Sequence, residues 1–247
     1  MKSIASSKIN IHFIFLISIF YSCTTSNDKK LPLSITSLDS VDVWIKNAAN
    51  NNFSSTKQKL NLKKAYNHLH KRKNDTIKSK KLSIVAYRYR ELNDSLLFHN
   101  INEEAQKLAY QLKDSFTIAD THWSLANYYN GTETYDKSYH HYNIAYKFFT
   151  QINKEYLAAR MLYAMSFIKG RFRDYSGSEV LVSKAIKIFK KLDKFKYLYF
   201  SYEHLALLQN DIKEYDEALF YNHRALEYVD KMKNKSYYIE SLYNNIG

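Results

Sequence analysis

The residues best able to do chemistry are few, and their spacing does not bring them together. Cys23 is the only cysteine, so no disulfide can close within the chain. Among the histidines, His68 and His70 stand two apart, which sends them to different sides of a helix. His140 and His141 are adjacent and cannot share a metal on one helix face. No histidine pair is followed by the glutamate that a zinc hydrolase uses to activate water. The only glycines, Gly131, Gly170, Gly177 and Gly247, are too scattered to cradle a phosphate. Glu103-Glu104 and Asp216-Glu217 could work as paired acids, but at or near expected helix starts they suit the helix dipole better. Asp114, Asp174 and Asp193, beside expected turns, read as helix caps. No acid, base and nucleophile converge, so the sequence predicts no catalytic residue, no cofactor and no metal ligand.

The elements that carry these residues are helices. Of 247 residues, 4 are glycine and 1 is proline, too few for the turns of sheets and hairpins. Tyrosine, at 23 residues, and phenylalanine, at 14, supply bulk for helix packing. The formal charge of +13 invites a nucleic-acid partner. However, lysine, asparagine, isoleucine, phenylalanine and tyrosine are abundant together, which is what the codons of an AT-rich genome produce. The densest basic run, Lys71 to Lys81, falls at an expected turn without interleaved aromatics to stack on bases. Nucleic acid is therefore not the expected partner.

The helices repeat. Alanine recurs every 40 residues at Ala65, Ala105, Ala145, Ala185 and Ala225, and an apolar residue follows each by four: Leu69, Ala109, Phe149, Phe189 and Val229. A small residue recurs at Ala86, Ala126, Ser166 and Ala206, each preceded by a larger apolar one: Val85, Leu125, Met165 and Leu205. Tyrosine recurs at Tyr135, Tyr175 and Tyr215. A small residue at a fixed place lets two helices approach closely, and the i, i+4 pair lies on one helical face. Each unit then reads as two helices of about 16 to 17 residues, each ~25 Å long, with two short loops. The expected fold is all-α, an α-solenoid of antiparallel helix pairs with a concave and a convex face.

Leu125-Ala126 with Tyr129, Tyr135, Tyr142 and Ala145 resembles a tetratricopeptide repeat, and so does Leu205-Ala206 with Tyr215-Asp216-Glu217-Ala218-Leu219 and Ala225-Leu226. Met165-Ser166 with Tyr175, Ser178 and Ala185 is a looser match. The resemblance covers most of Asp39 to Gly247 and implies a right-handed superhelix that binds proteins or peptides. Units of 40 residues are longer than the usual 34, and the closing proline of the family's repeat is absent. The first unit has Lys46 where a small residue belongs, so its first helix is expected to be a cap or irregular. Long units of this kind are similar to those in periplasmic sensor regions of Bacteroidetes regulators. Family members that grip a chaperone's C-terminal carboxylate use lysines, arginine and asparagines. Trp123 and Ala164 stand at two of the matching places, which disfavours that ligand.

The start of the chain reads as an export signal. Lys2 and Lys8 precede a run from Ile9 to Tyr21 that is apolar except for Asn10, His12 and Ser18, too short to span a membrane. Phe20-Tyr21-Ser22-Cys23 resembles a bacterial lipobox, which implies lipidation of Cys23; Phe20 and Tyr21 depart from the usual residues. An ordinary cleaved signal and an uncleaved anchor are the alternatives. The expected organisation is a signal peptide over 1–22, a polar tether over 23–38 and the repeat array over 39–247. The protein is expected in the cell envelope, lipid-anchored or periplasmic. The stretch from Tyr237 to Gly247 reads as the first helix of a further unit, so the array reads as incomplete there.

The best binding surface is the groove lined by the first helix of each pair. In successive units the residues on the shared face are Ser83, Tyr87 and Arg90; Asp120, Trp123, Asn127 and Asn130; Arg160, Tyr163 and Phe167; and Phe200, Glu203, Leu207 and Asn210. An aromatic surface of mixed charge suits a peptide or protein held by anchors and a few polar contacts. Equally, Trp123 and Phe167 could pack between helices. Two functions follow: an exported interaction module, or the sensor region of a regulator whose kinase or DNA-binding output lies elsewhere.

Overall fold

A computed structural model describes residues 39–232 together with Lys235, Tyr238 and Ile239. The expected signal peptide, Cys23 and the tether lie outside the described residues, as does most of the expected helix from Tyr237 onward. Among the described residues every regular element is helical: α1 (Ser40–Ala48), α2 (Ser55–His70), α3 (Thr76–Glu91), α4 (Ser95–Gln111), α5 (Ser115–Gly131), α6 (Tyr135–Gln151), α7 (Glu155–Arg171), α8 (Tyr175–Lys191), α9 (Phe195–Asp211) and α10 (Tyr215–Val229). From α4 to α9 each helix has 17 residues, within the length expected from the repeat.

Helices pair as α1–α2, α3–α4, α5–α6, α7–α8 and α9–α10, and each pair packs on the next. The ladder residues make the crossings. Ala65, Ala105, Ala145, Ala185 and Ala225 are all fully buried, as are Leu69, Ala109, Phe149 and Phe189. Because Ala126 and Ser166 are small, the partner helix comes close enough for Ser138 Oγ to donate to the Ala126 carbonyl (2.9 Å) and Ser178 Oγ to that of Ser166 (2.7 Å). Gly170 serves the same end between α7 and α9: a Cβ there would meet Leu208 Cδ2 at 3.0 Å. The irregular first unit is visible as α1, which has 9 residues and leaves Lys46 exposed.

The turns from α3 to α10 are one structure used seven times. Asn93, Lys113, Glu133, Asn153, Arg173, Asp193 and Lys213, spaced by 20, all take positive φ. The next residue's N–H reaches back to the carbonyl five before it, as in Asp94 to Tyr89 (2.9 Å) and Lys194 to Phe189 (2.9 Å). This closes each helix with a Schellman motif. That same next residue is the N-cap of the following helix, so the connection is as short as the motif allows. Asp94, Asp114 and Asp174 also cap with their side chains, to the N–H of Leu97, Thr117 and Gly177.

Two sequence readings need correction. Asp193 is not a cap but the positive-φ residue of its turn, and Lys194 holds the N-cap position. Glu103 and Glu104 lie in the middle of α4, not at its start; Glu104 accepts from the Tyr66 hydroxyl at 2.9 Å. The basic run from Lys71 to Lys81 falls only in part on the turn before α3: Lys71, Arg72 and Lys73 do, whereas Lys78, Lys80 and Lys81 lie in the first turns of α3 itself. Part of it is engaged within the fold: Lys78 is buried with its Nζ 3.0 Å from Asn74 Oδ1, and Lys81 pairs with Asp42 at 3.0 Å.

Candidate functional site

First helices of neighbouring units touch, α3 with α5 and α7 with α9, while second helices are held further apart. The first helices therefore line the inner side of the curve, where the groove was expected. Their shared-face residues do come together, but at two depths. Tyr87, Trp123, Arg160, Tyr163 and Glu203 are buried, with exposures of 3–8%. Asn127 and Phe167 are half-buried, as are Arg90, Asp120, Asn130, Leu207 and Asn210. The first set is a floor and the second a lip.

Arg160 organises the floor. Its guanidinium lies 4.4 Å from the Trp123 ring centre and 5.6 Å from those of Tyr156 and Tyr197. A cation held over aromatic faces away from water gains about 2 kcal/mol. Trp123 also meets Phe149 edge-on at 6.2 Å, so it is packed into the array and is not a free anchor. Burial, with the charge of Glu203 next, raises the Tyr163 hydroxyl well above its ordinary pKa. Tyr87 donates to Glu91 and carries the Arg90 guanidinium at 4.9 Å.

The lip is polar at one end and apolar at the other. Asp120 accepts from Ser83 Oγ at 2.8 Å, a bond between α3 and α5. Burial raises its pKa, against the lowering effects of that bond, Lys80 and Arg90. Asn127 Oδ1 accepts from the buried Tyr142 hydroxyl at 2.7 Å, which fixes the amide's orientation. Phe167 stacks on His204 at 3.7 Å. The arrangement can hold an extended chain by amide contacts near Asn127, Asn130 and Asn210 and by apolar contact at Phe167 and Leu207.

Sequence reasoning missed two histidine sites. His204 is buried with its Nε2 3.1 Å from Ser178 Oγ, and burial depresses its pKa to about 3. Although this brings a hydroxyl to an imidazole, Ser178 already donates its proton to the Ser166 carbonyl and is sealed from solvent. His122 and His141 meet across α5 and α6 with Nδ1 atoms 2.8 Å apart, and burial depresses both to about 4. No cluster of three or more histidine, cysteine or acidic side chains is placed for a metal among the described residues. Among them, too, no helix is long and apolar enough to cross a membrane.

No family model matches the sequence, and no curated protein matches it. Solved structures match the fold. The apo form of RapI is similar at 15% identity, over 77% of this chain and 70% of its own, with a TM-score of 0.69. Aspartyl phosphate phosphatase F from Bacillus subtilis is similar at 15% identity, over 82% of this chain and 52% of its own, with a TM-score of 0.72. A signal transduction ATPase with numerous domains and a tetratricopeptide repeat sensor, from Pyrococcus horikoshii, is similar at 16% identity, over 76% of this chain and 28% of its own, with a TM-score of 0.66. At these identities the likeness is one of fold: an all-α solenoid of tetratricopeptide type.

Proposed function

We propose that this chain is an exported interaction module that holds a protein or peptide along its inner face and performs no catalysis itself. The observation that supports the reading is the two-level inner face. A packed floor around Arg160 carries half-buried Asn127, Phe167 and Leu207 at 40-residue spacing, with Asn130 and Asn210 beside them, which suits the backbone and side chains of an extended partner. Export rests on the apolar run from Ile9 to Tyr21, and anchoring on lipidation of Cys23. Two or three acyl chains on that residue would make the attachment stable, since one chain alone binds a membrane only reversibly.

The test is capture from envelope extract by the immobilised chain. A partner retained by wild type and by Lys184→Ala, but lost with Asn127→Ala combined with Phe167→Ala, supports the inner face. Equal retention by all three places the contact elsewhere. Cys23→Ser should abolish incorporation of labelled fatty acid and release the protein from membranes; wild type that fractionates as soluble removes the anchor. A second reading, the sensor region of a signalling regulator, is favoured by the neighbour whose repeat sensor is one part of a much longer ATPase. An output domain encoded in frame after Gly247 would select that reading.

A further inference from the structure

Four aromatic side chains on three helices converge where α4, α5 and α6 pack. The His122 and His141 rings lie 5.1 Å apart at 32°, with their Nδ1 atoms 2.8 Å from each other. The Tyr110 hydroxyl is 3.0 Å from the other nitrogen of His122. Tyr129 stacks on His141 at 5.5 Å and 11°. The ionisable groups that act on the pair are His140 and Lys137 on α6; no carboxylate is among them.

Two nitrogen ligands at right angles on one ion, each bonded at about 2.0 Å, stand about 2.8 Å apart. The separation of these two nitrogens is the same. Tyr110 fixes the orientation of the His122 ring through its far nitrogen, as partners of metal-bound histidines do. Tyr129 fixes the plane of His141. The pair is open on the His141 side only: His122 is buried and His141 half-buried, with Tyr110, Lys137 and His140 beside it exposed.

We propose that His122 and His141 form a two-imidazole site for a late first-row divalent transition ion that takes ligands at right angles (Cu2+ or Ni2+), with water in the remaining positions. In the metal-free pair one Nδ1 carries the proton of an N–H···N hydrogen bond. On binding, that ring gives up its Nδ1 proton and takes one at Nε2, so both rings stay neutral and nothing is oxidised or reduced. Cu2+ should bind more tightly than Ni2+. The site lies apart from the inner-face floor and does not depend on the interaction reading above.

The test is calorimetric titration of the untagged full chain with Ni2+ and Cu2+, with circular dichroism as the control for folding. One equivalent should bind to wild type and to a His68→Gln, His70→Gln double variant. His122→Gln and His141→Gln should each lose it. Tyr110→Phe should weaken it about tenfold, since it only frees the ring. Paramagnetic broadening by Ni2+ of the His122 and His141 ring signals gives a readout that requires no variant. No binding, or binding that survives both single variants, overturns the proposal. So does broadening confined to other histidines.

Discussion

Trp123, which the sequence left equally as a groove anchor or as packing between helices, and Arg160, on the same expected face, are buried against each other. Trp123→Ala should therefore act on the fold first. It should lower the unfolding free energy by about 3–5 kcal/mol, read from denaturant melts; a loss under about 1 kcal/mol would return Trp123 to the surface. The spacing of three and four placed these residues on one face correctly. It could not separate floor from lip, because that depends on how closely the next unit approaches. His122 escaped notice for a related reason: its partner, His141, lies on another helix, and the eye rests on the adjacent His140. For His204 the consequence is a pH dependence. Its folded pKa, about 3, lies below the ordinary value of 6.5, so the unfolded chain binds the extra proton. The contribution is complete above about pH 6.5 and is lost as pH falls toward 3, at up to about 1.4 kcal/mol per pH unit. His204→Gln should reduce the slope of the stability profile between pH 6.5 and 4, leaving the share of His122 and His141, which burial also lowers. An unchanged slope would mean that His204 protonates freely in the fold.

At the scale of the element, the alanine ladder made the crossings legible because each alanine repeats a packing requirement. Ala185 is fully buried, and Ala185→Phe should overpack its crossing and cost about 1–3 kcal/mol. An unchanged melting temperature would count against the register. The seven identical turns were not legible. Glycine is the usual mark of positive φ, and here asparagine, aspartate, lysine, glutamate and arginine hold those places while no glycine does. The strain this implies is measurable. Lys213, at φ 68°, carries a Cβ in the left-handed region, so Lys213→Gly should stabilise the chain by about 0.5–1 kcal/mol, net of the greater entropy glycine gives the unfolded state. A lower denaturation midpoint would show that the Lys213 side chain makes a contact worth more than the strain.

In the whole array each pair contacts only its neighbours, so stability is a sum of local terms and need not be even along the chain. α1 buries only Val41 and Ala48, whereas α7 buries residues along nearly all its length. Amide hydrogen exchange should be fastest in α1 and slowest in α7, and the reverse order would mean that the first pair is held by something outside the helices described. The period and the pairing could be read from side chains, since side chains set them. The curvature, with first helices inside, could not, because it arises from contact between units far apart in sequence. The uniform turn has one more consequence. The backbone does not mark where a unit begins: the joint inside a pair and the joint between pairs are the same. Only the side chains keep the count, and they keep it modulo two. Inserting or deleting 40 residues at any of these joints would leave the array in phase. A change of 20 would join just as smoothly and yet turn everything downstream inside out, with first helices on the outer side of the curve and second helices where the groove should be.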